Sequence, residues 1–371
     1  MKRSASLLFA LALSSVACAS AEDDPGFVPT CDAAPFMDRG PYEVGVMTVD
    51  LDGAPVEVWY PAAEGVTAGL SKDSYDMRDW LPEADAAKIP DAESPLHEMD
   101  AYRDVEAAEG RYGVVVFSHG LGGYRLQTSF LMTHLASWGF VVAAPEHPER
   151  GLKIILEGGS LGDDAPATLL ATKELLRGLD EQAGHPLAGR VDVERFVVSG
   201  HSQGGSAVTV VTDDESAGVD AWVGLATAIA PNTGAPDGMM IGGTLDGFAT
   251  PDTMQTQWDQ IEQSDVQRLI GIQNAGHMAF TDLCVIGRDR GGVLKIAQDH
   301  GVEIDDLVVS LASDGCQDEA LAPEDTWPIV NHYVTAHIMA ALEEATPTDA
   351  TGLDMASEAC FDGNIATFQE K

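Results

Sequence analysis

The stretch Phe196-Val197-Val198-Ser199-Gly200-His201-Ser202-Gln203-Gly204-Gly205-Ser206-Ala207-Val208 constrains the fold of this chain more than any other. Phe196 to Ser199 is a short apolar run of the kind buried in a sheet, and it leads without a gap into Gly200-His201-Ser202-Gln203-Gly204. Small and apolar residues follow, enough to open a helix. Strand, one-residue turn bearing Ser202, then helix is the layout of a nucleophile elbow. A serine hydroxyl is a weak nucleophile, so it must stand at a sharp turn where a base can reach it. Gly200 and Gly204 flank the turn because side chains there would meet the neighbouring strand and helix. A second Gly-x-Ser-x-Gly occurs at Gly158-Gly159-Ser160-Leu161-Gly162, after Ile154-Ile155-Leu156, which could be a strand. It runs into Asp163, Asp164, Ala165 and Pro166, a loop and helix start rather than an elbow helix. Ser202 is the candidate nucleophile.

Around this elbow, apolar strands alternate with helical patterns. Tyr42 to Val49 and Val56 to Tyr60 alternate at period two about Asp52-Gly53, a β-hairpin. Residues 63–110 are acidic with scattered prolines and read as an insertion or lid. Tyr112 to Ser118 is a nearly continuous β-branched run, as in a strand buried on both faces. Leu126, Phe130, Leu131, Leu135 and Trp138 recur at helical spacing, Phe140 to Ala144 is the next strand, and Leu169, Leu170, Leu175 and Leu176 mark another helix. Ala221 to Ala226, Met239 to Leu245 and Arg268 to Gln273 are further strands, and Thr326 to Ala345 a final helix. Such alternation predicts an α/β fold, a mostly parallel central sheet with helices on both faces.

An elbow serine needs donors for a developing oxyanion, a base, and an acid that orients the base. One donor is the N–H of Gln203, next after the nucleophile; the other is expected from Leu121, in Ser118-His119-Gly120-Leu121-Gly122-Gly123 at the end of an earlier strand. The base should follow the serine in chain order, with the acid between them. His277, after the strand Gly271-Ile272-Gln273, lies on a loop at a strand's C-terminal edge, where catalytic groups collect. His332 and His337 fall inside the last helix, and His300 at a helix-end signal. Asp246 ends the preceding strand and is the candidate acid. Asp237 and Asp252 are the alternatives, Asp252 reading better as a helix cap. His119 and His201 are expected to support or pack. No metal motif is present, and no cofactor is expected.

The N-terminus reads as an export signal over residues 1–19: Lys2 and Arg3, then apolar Leu7 to Leu13, then small residues. Ser15-Val16-Ala17-Cys18 resembles a bacterial lipobox, which would lipidate Cys18; ordinary cleavage after Ala19 or Ala21 is the competing reading. Localisation follows as an outer-membrane lipoprotein or a periplasmic or secreted protein. Residues 20–38 read as a tether and 39–371 as one domain. Cys31, Cys284, Cys316 and Cys360 remain after removal of Cys18. In an exported chain they suggest two disulfides, with Cys284–Cys316 and Cys31–Cys360 preferred and buried thiols as the alternative. Sixty acidic against 20 basic residues, a net charge of −40, argue against nucleic acid and against anionic membrane as partners. A lipid anchor would be the membrane contact.

The run Val114-Val115-Val116-Phe117-Ser118-His119-Gly120-Leu121-Gly122-Gly123, together with Leu135-Ala136-Ser137-Trp138-Gly139-Phe140-Val141-Val142-Ala143-Ala144-Pro145-Glu146-His147, resembles the plasma-type platelet-activating factor acetylhydrolases and their bacterial relatives. Val58-Trp59-Tyr60-Pro61-Ala62 also looks like the extended strand of that group. The resemblance spans most of residues 41–280. It implies an α/β-hydrolase fold and a lipase-like serine esterase without metal, with nucleophile, acid and base on Ser202, Asp246 and His277 and oxyanion donors on Leu121 and Gln203. The implied function is an exported carboxylic ester hydrolase acting through an acyl-enzyme on small-molecule or lipid esters, short-chain or phospholipid-type. Gln203 stands where these acetylhydrolases tend to carry an aromatic, which brings in polyester-degrading and dienelactone-type hydrolases. A lipase or polyester hydrolase, an acyltransferase and a non-catalytic binding protein are the alternatives.

Overall fold

A computed structural model describes residues 33–159, 161–162, 164–232, 236–262, 265–342, 360–361 and 363–371. The expected export segment, Cys18, Cys31, most of the tether and Ser160 lie outside the described residues. The chain is already packed at Ala34 and Phe36, which are buried, Phe36 edge-on against Trp138.

The first strands, β1 (Val44–Leu51) and β2 (Ala54–Pro61), form the expected antiparallel hairpin. Asp52 and Gly53 turn it at φ 52° and 92°, the left-handed pair that a two-residue loop between twisted strands requires. The acidic insertion holds β3 (Ser74–Asp76), the short α1 (Glu83–Ala86), β4 (Leu96–Glu98) and β5 (Tyr102–Arg103). β3 pairs with β4 as a small separate sheet, and β5 lies parallel to β1. Then follow β6 (Tyr112–Ser118), α2 (Ser129–Ser137), β7 (Val141–Pro145), α3 (Leu152–Leu156) and α4 (Ala165–Glu181). The elbow joins β8 (Val191–His201) to α5 (Gly204–Thr212), and β9 (Ala221–Leu225), β10 (Asp237–Gly243), α6 (Pro251–Gln260) and β11 (Gln267–Ile272) come next. The chain closes with α7 (Gly292–Asp299), α8 (Asp306–Ser313), α9 (Pro323–Ala341) and β12 (Ile365–Glu370).

Among the described residues, ten strands form one sheet in the order β12-β11-β10-β9-β8-β6-β7-β2-β1-β5. Its centre, β11 to β7, is parallel throughout, whereas β12 and β2 run antiparallel on either side. This is the α/β-hydrolase arrangement. Alternation along each central strand divides the core. Val115, Phe117, Val197, Val223 and Ile241 pack with α2 and α9 on one face. Val114, Val116, Phe196, Val198 and Met240 pack with α4, α5 and α6 on the other. A Val or Phe so buried contributes roughly 1.5–3 kcal/mol. The chain goes from β6 to β7 on one side and to β8 on the other, so the crevice at the C-terminal ends of β6 and β8 is the topological switch point.

Three expectations are corrected. Ile154 to Leu156 belong to a helix, α3, which removes the strand that a second elbow at Ser160 would need. Leu126 precedes α2 instead of lying in it. The last helix begins at Pro323 and ends at Ala341; residues 343–345 lie outside the described residues.

Candidate active site

The elbow has the geometry its glycines imply. Ser202 sits at φ 55°, its N–H donates to the Leu225 carbonyl (2.9 Å), and its own carbonyl accepts the Gly205 N–H (2.9 Å). A Cβ at Gly204 would run into the Ser118 carbonyl, and one at Gly200 into the backbone of Gly204. The turn therefore packs directly against the end of β6 and the first turn of α5. That places Ser202 Oγ at the positive end of a helix, where unpaired N–H groups concentrate.

Three candidates meet in one hydrogen-bonded chain. The Ser202 hydroxyl donates to His277 Nε2 (2.9 Å), and His277 Nδ1–H donates to Asp246 Oδ2 (2.9 Å). Asp246, from the loop after β10, is buried, and its other oxygen accepts the N–H groups of Phe248 and Ala249 (both 2.8 Å). The carboxylate is thereby aimed, and it fixes the tautomer that leaves Nε2 free to accept. His277 is 1 % exposed, so water reaches the pair poorly.

The competing residues stand elsewhere. Asp237 accepts the Val266 N–H at the start of β10 (2.9 Å). Asp252 lies in the first turn of α6, but the side chain capping that helix is Thr250, a small correction to the expected cap. His300 ends α7 beside Glu93 (3.1 Å), as a helix-end histidine should. His332 is buried in α9 with its ring over Phe36. His337 accepts Arg268 (2.9 Å), and burial pushes its pKa down to about 3, so it is a neutral core group.

The loop after β6 adjoins the nucleophile. A Cβ at Gly120 would lie 2.9 Å from Ser202 Cβ, and Leu121 lines the same pocket as Ser202. Gln203 immediately precedes α5. A buried polar network holds this loop from beneath. The His119 ring spans from the Gly120 carbonyl (Nδ1, 2.9 Å) to Glu146 (Nε2, 3.3 Å), and Arg150 donates to Ser118 Oγ (2.6 Å) and the His119 carbonyl (2.8 Å). His201 has the expected support role: Gln127 faces its Nδ1 (3.1 Å), and its Nε2–H donates to the His277 carbonyl (3.0 Å). Burial, with the neighbouring His277 adding to it, lowers the His201 pKa to about 3, so the ring stays neutral.

Ser202 and His277 open into an apolar pocket that is continuous with solvent. Met77, Leu81 and Ile89 of the insertion form one wall, Leu152 and Ile155 of α3 another, and Leu307 and Leu311 of α8 a third. Among the described residues that line it, none is Asp, Glu, Lys or Arg. The α7–α8 segment follows His277 in the chain and supplies a wall of the pocket, a placement its amphipathic pattern alone does not specify. It is stapled by the expected Cys284–Cys316 disulfide. Cys360 is also disulfide-bonded.

The chain matches the sequence profile of the family described as platelet-activating factor acetylhydrolase, isoform II, over residues 47–154, and that of the chlorophyllases over 104–234. It is 28% identical over 128 residues to a Schizosaccharomyces pombe protein named "Putative phospholipase A2", covering 34% of this chain and 28% of that one. It is 33% identical over 105 residues to Chlorophyllase-2 of Arabidopsis thaliana, covering 28% of this chain and 30% of the relative. The aligned stretches thus span less than a third of either relative. The profile matches take in the Leu121 loop and the Ser202 elbow and stop before Asp246 and His277, whose places rest on geometry. On an α/β-hydrolase fold, the chain thus carries stretches similar to the families described as platelet-activating factor acetylhydrolase, isoform II, and chlorophyllase.

Proposed function

We propose that this protein is an exported serine carboxylic ester hydrolase with Ser202 as nucleophile, His277 as general base and acid, and Asp246 as the group that orients His277. The observation that carries this reading is the continuous Ser202–His277–Asp246 hydrogen-bonded chain at the floor of an apolar pocket. Ser202 Oγ attacks the ester carbonyl carbon while His277 Nε2 takes its proton, and the carbonyl oxygen becomes an oxyanion facing the N–H groups of Leu121 and Gln203. Collapse of this adduct expels the alcohol, which leaves with the proton from His277. Water then attacks the acyl-Ser202 ester with His277 again as base, releasing the acid.

The wall chemistry supports a substrate whose buried part is uncharged and apolar, the acyl chain or the alcohol of a lipid-like ester. The names of the relatives point to the same class of ester. An oxidising compartment is supported by the disulfides at Cys284–Cys316 and Cys360. The intact mass of the mature N-terminus separates lipidation at Cys18 from cleavage after Ala19 or Ala21.

Hydrolysis of a graded series of acyl esters, acetyl to long-chain, by wild type and Ser202→Ala tests the activity. We expect Ser202→Ala to lose roughly 10³-fold or more in kcat. A short-acyl preference would match the acetylhydrolase resemblance, and a long-chain preference a lipase-like use of the whole pocket. Turnover unchanged by Ser202→Ala on every ester overturns the reading.

A further inference from the structure

Asp314 joins the two loops that carry the acid and the base. It follows α8 directly, and its carboxylate is half-buried. Oδ1 accepts the backbone N–H of His277 (2.8 Å), and Oδ2 accepts that of Gly247 (2.9 Å), the residue after Asp246. The Asp314 carbonyl in turn accepts the Met278 N–H (2.7 Å). Room for this carboxylate is made by two glycines. A Cβ at Gly276 would lie 2.6 Å from Oδ1, and a Cβ at Gly247 would lie 2.9 Å from Oδ2. From the other side, His201 holds the His277 carbonyl (3.0 Å), so the backbone of His277 is held at both its N–H and its carbonyl.

We propose that Asp314 is a positioning residue: one carboxylate that keeps the Asp246 loop and the His277 loop in register, so that His277 Nε2 stays within reach of Ser202 Oγ. The proposal rests on the esterase reading above. Two charge-assisted hydrogen bonds to backbone N–H groups form a stiff link, and misplacing a catalytic group by about 1 Å costs on the order of 10² in rate. Asp314 itself touches no reacting atom. Its place at the end of α8, whose Leu307 and Leu311 line the pocket, connects the substrate wall to the base through a few residues of chain. Gly315 leads from it to Cys316, which the disulfide anchors to Cys284.

The test compares wild type, Asp314→Asn and Gly247→Ala on the best ester of the graded series. Two further readouts are the rate at which a small phosphonate ester labels Ser202, and the thermal midpoint. Asn keeps the shape but puts an amide NH₂ against one of the two N–H groups. We expect kcat and the labelling rate to fall together by roughly tenfold or more, with KM within about twofold of wild type. A folded Asp314→Asn protein with kcat and labelling within about twofold of wild type overturns the proposal, even if its thermal midpoint falls, because a structural prop alone would behave that way. If Asp314→Asn does not fold, Gly247→Ala decides: it crowds Oδ2 from an exposed loop. Lowered kcat at unchanged KM in that variant supports the proposal, and wild-type kcat overturns it. A wild-type protein that neither turns over esters nor labels at Ser202 overturns both this proposal and the esterase reading. Wild-type activity lost in Ser202→Ala but kept in Asp314→Asn overturns this proposal alone.

Discussion

At the scale of single residues, the site depends on atoms that leave no room for others. A Cβ at Gly204 would collide with the Ser118 carbonyl at the end of β6. Gly204→Ala should therefore cost about 1–3 kcal/mol in urea unfolding, as overpacking does, and should lower kcat through the displaced elbow; a variant as stable as wild type would show that the elbow has slack. Glu146 makes a second case. Burial alone would raise its pKa, but the His119 ring, the Trp80 indole N–H (2.7 Å) and the Arg125 guanidinium (3.2 Å) outweigh that and lower it from 4.5 to about 2. A carboxyl with a depressed folded pKa adds stability above its unfolded pKa and loses it as pH falls through the folded one. The expected window runs from about 4.5 down to about 2. Glu146→Gln should flatten the loss of thermal midpoint across that window, and an unchanged acid slope would contradict the assignment. The members of the Ser202–His277–Asp246 hydrogen-bonded chain were legible as candidates because each carries a local signal: an elbow, an Asp just past a strand, a loop His. Asp314 was not. It acts on backbone N–H groups of loops remote in sequence, and an aspartate ending a helix has no motif to announce that.

At the scale of elements, what decided legibility was whether a segment's partners lie next to it in the chain. The hairpin β1–β2 and the buried strands β6 to β11 follow from turn residues and apolar runs, and apart from the β6–β8 and β2–β7 pairings their neighbours in the sheet come from consecutive units. The edge strand β12 was missed because Ile365 to Glu370 alternates only weakly and is half-exposed. Helix α2 shows the same limit. Thr128 at its start makes no capping bond; instead Asp282, far along the chain, accepts the N–H groups of Ser129 (2.8 Å) and Phe130 (3.2 Å) and the Ser129 hydroxyl (2.6 Å). The Tyr75 hydroxyl of the insertion reaches the same carboxylate (3.3 Å). Burial raises the Asp282 pKa despite these donors, so the group is costly unless all of them are present. Asp282→Ala removes the acceptor and leaves buried donors unpaired, which should cost about 1–3 kcal/mol in denaturant unfolding. Because α2 follows the Leu121 loop directly, the same variant should also release amide protection at the start of that helix in hydrogen exchange. Full protection there, with wild-type stability, would mean that water replaces the carboxylate without penalty.

At the scale of the whole molecule, charge and pocket are segregated. The chain carries 60 acidic and 20 basic residues, yet none of either borders the pocket among its described lining residues. Charge therefore bears on the stability of this molecule more than on what the pocket recognises. Many of the cations are already taken up in ion pairs, among them the exposed pairs Arg177 with Glu194 (2.8 Å), Lys295 with Asp299 (2.5 Å) and Arg288 with Glu324 (2.7 Å). Exposed pairs of this kind are each worth at most about 1 kcal/mol, and salt weakens them. The remaining negative charges repel one another over distances comparable with the Debye length, about 10 Å at 0.1 M salt and about 3 Å at 1 M. Two effects of salt thus oppose each other: loss of a limited set of attractions, and relief of a larger set of repulsions. With a net charge of −40 the second should win. The thermal midpoint should rise by a few degrees between 10 mM and 1 M NaCl at pH 7, and the rise should shrink as pH falls toward the isoelectric point of about 4.2, where the net charge vanishes. A midpoint that falls with salt at pH 7 would mean that the ion pairs, few as they are, outweigh the repulsion of the whole surface.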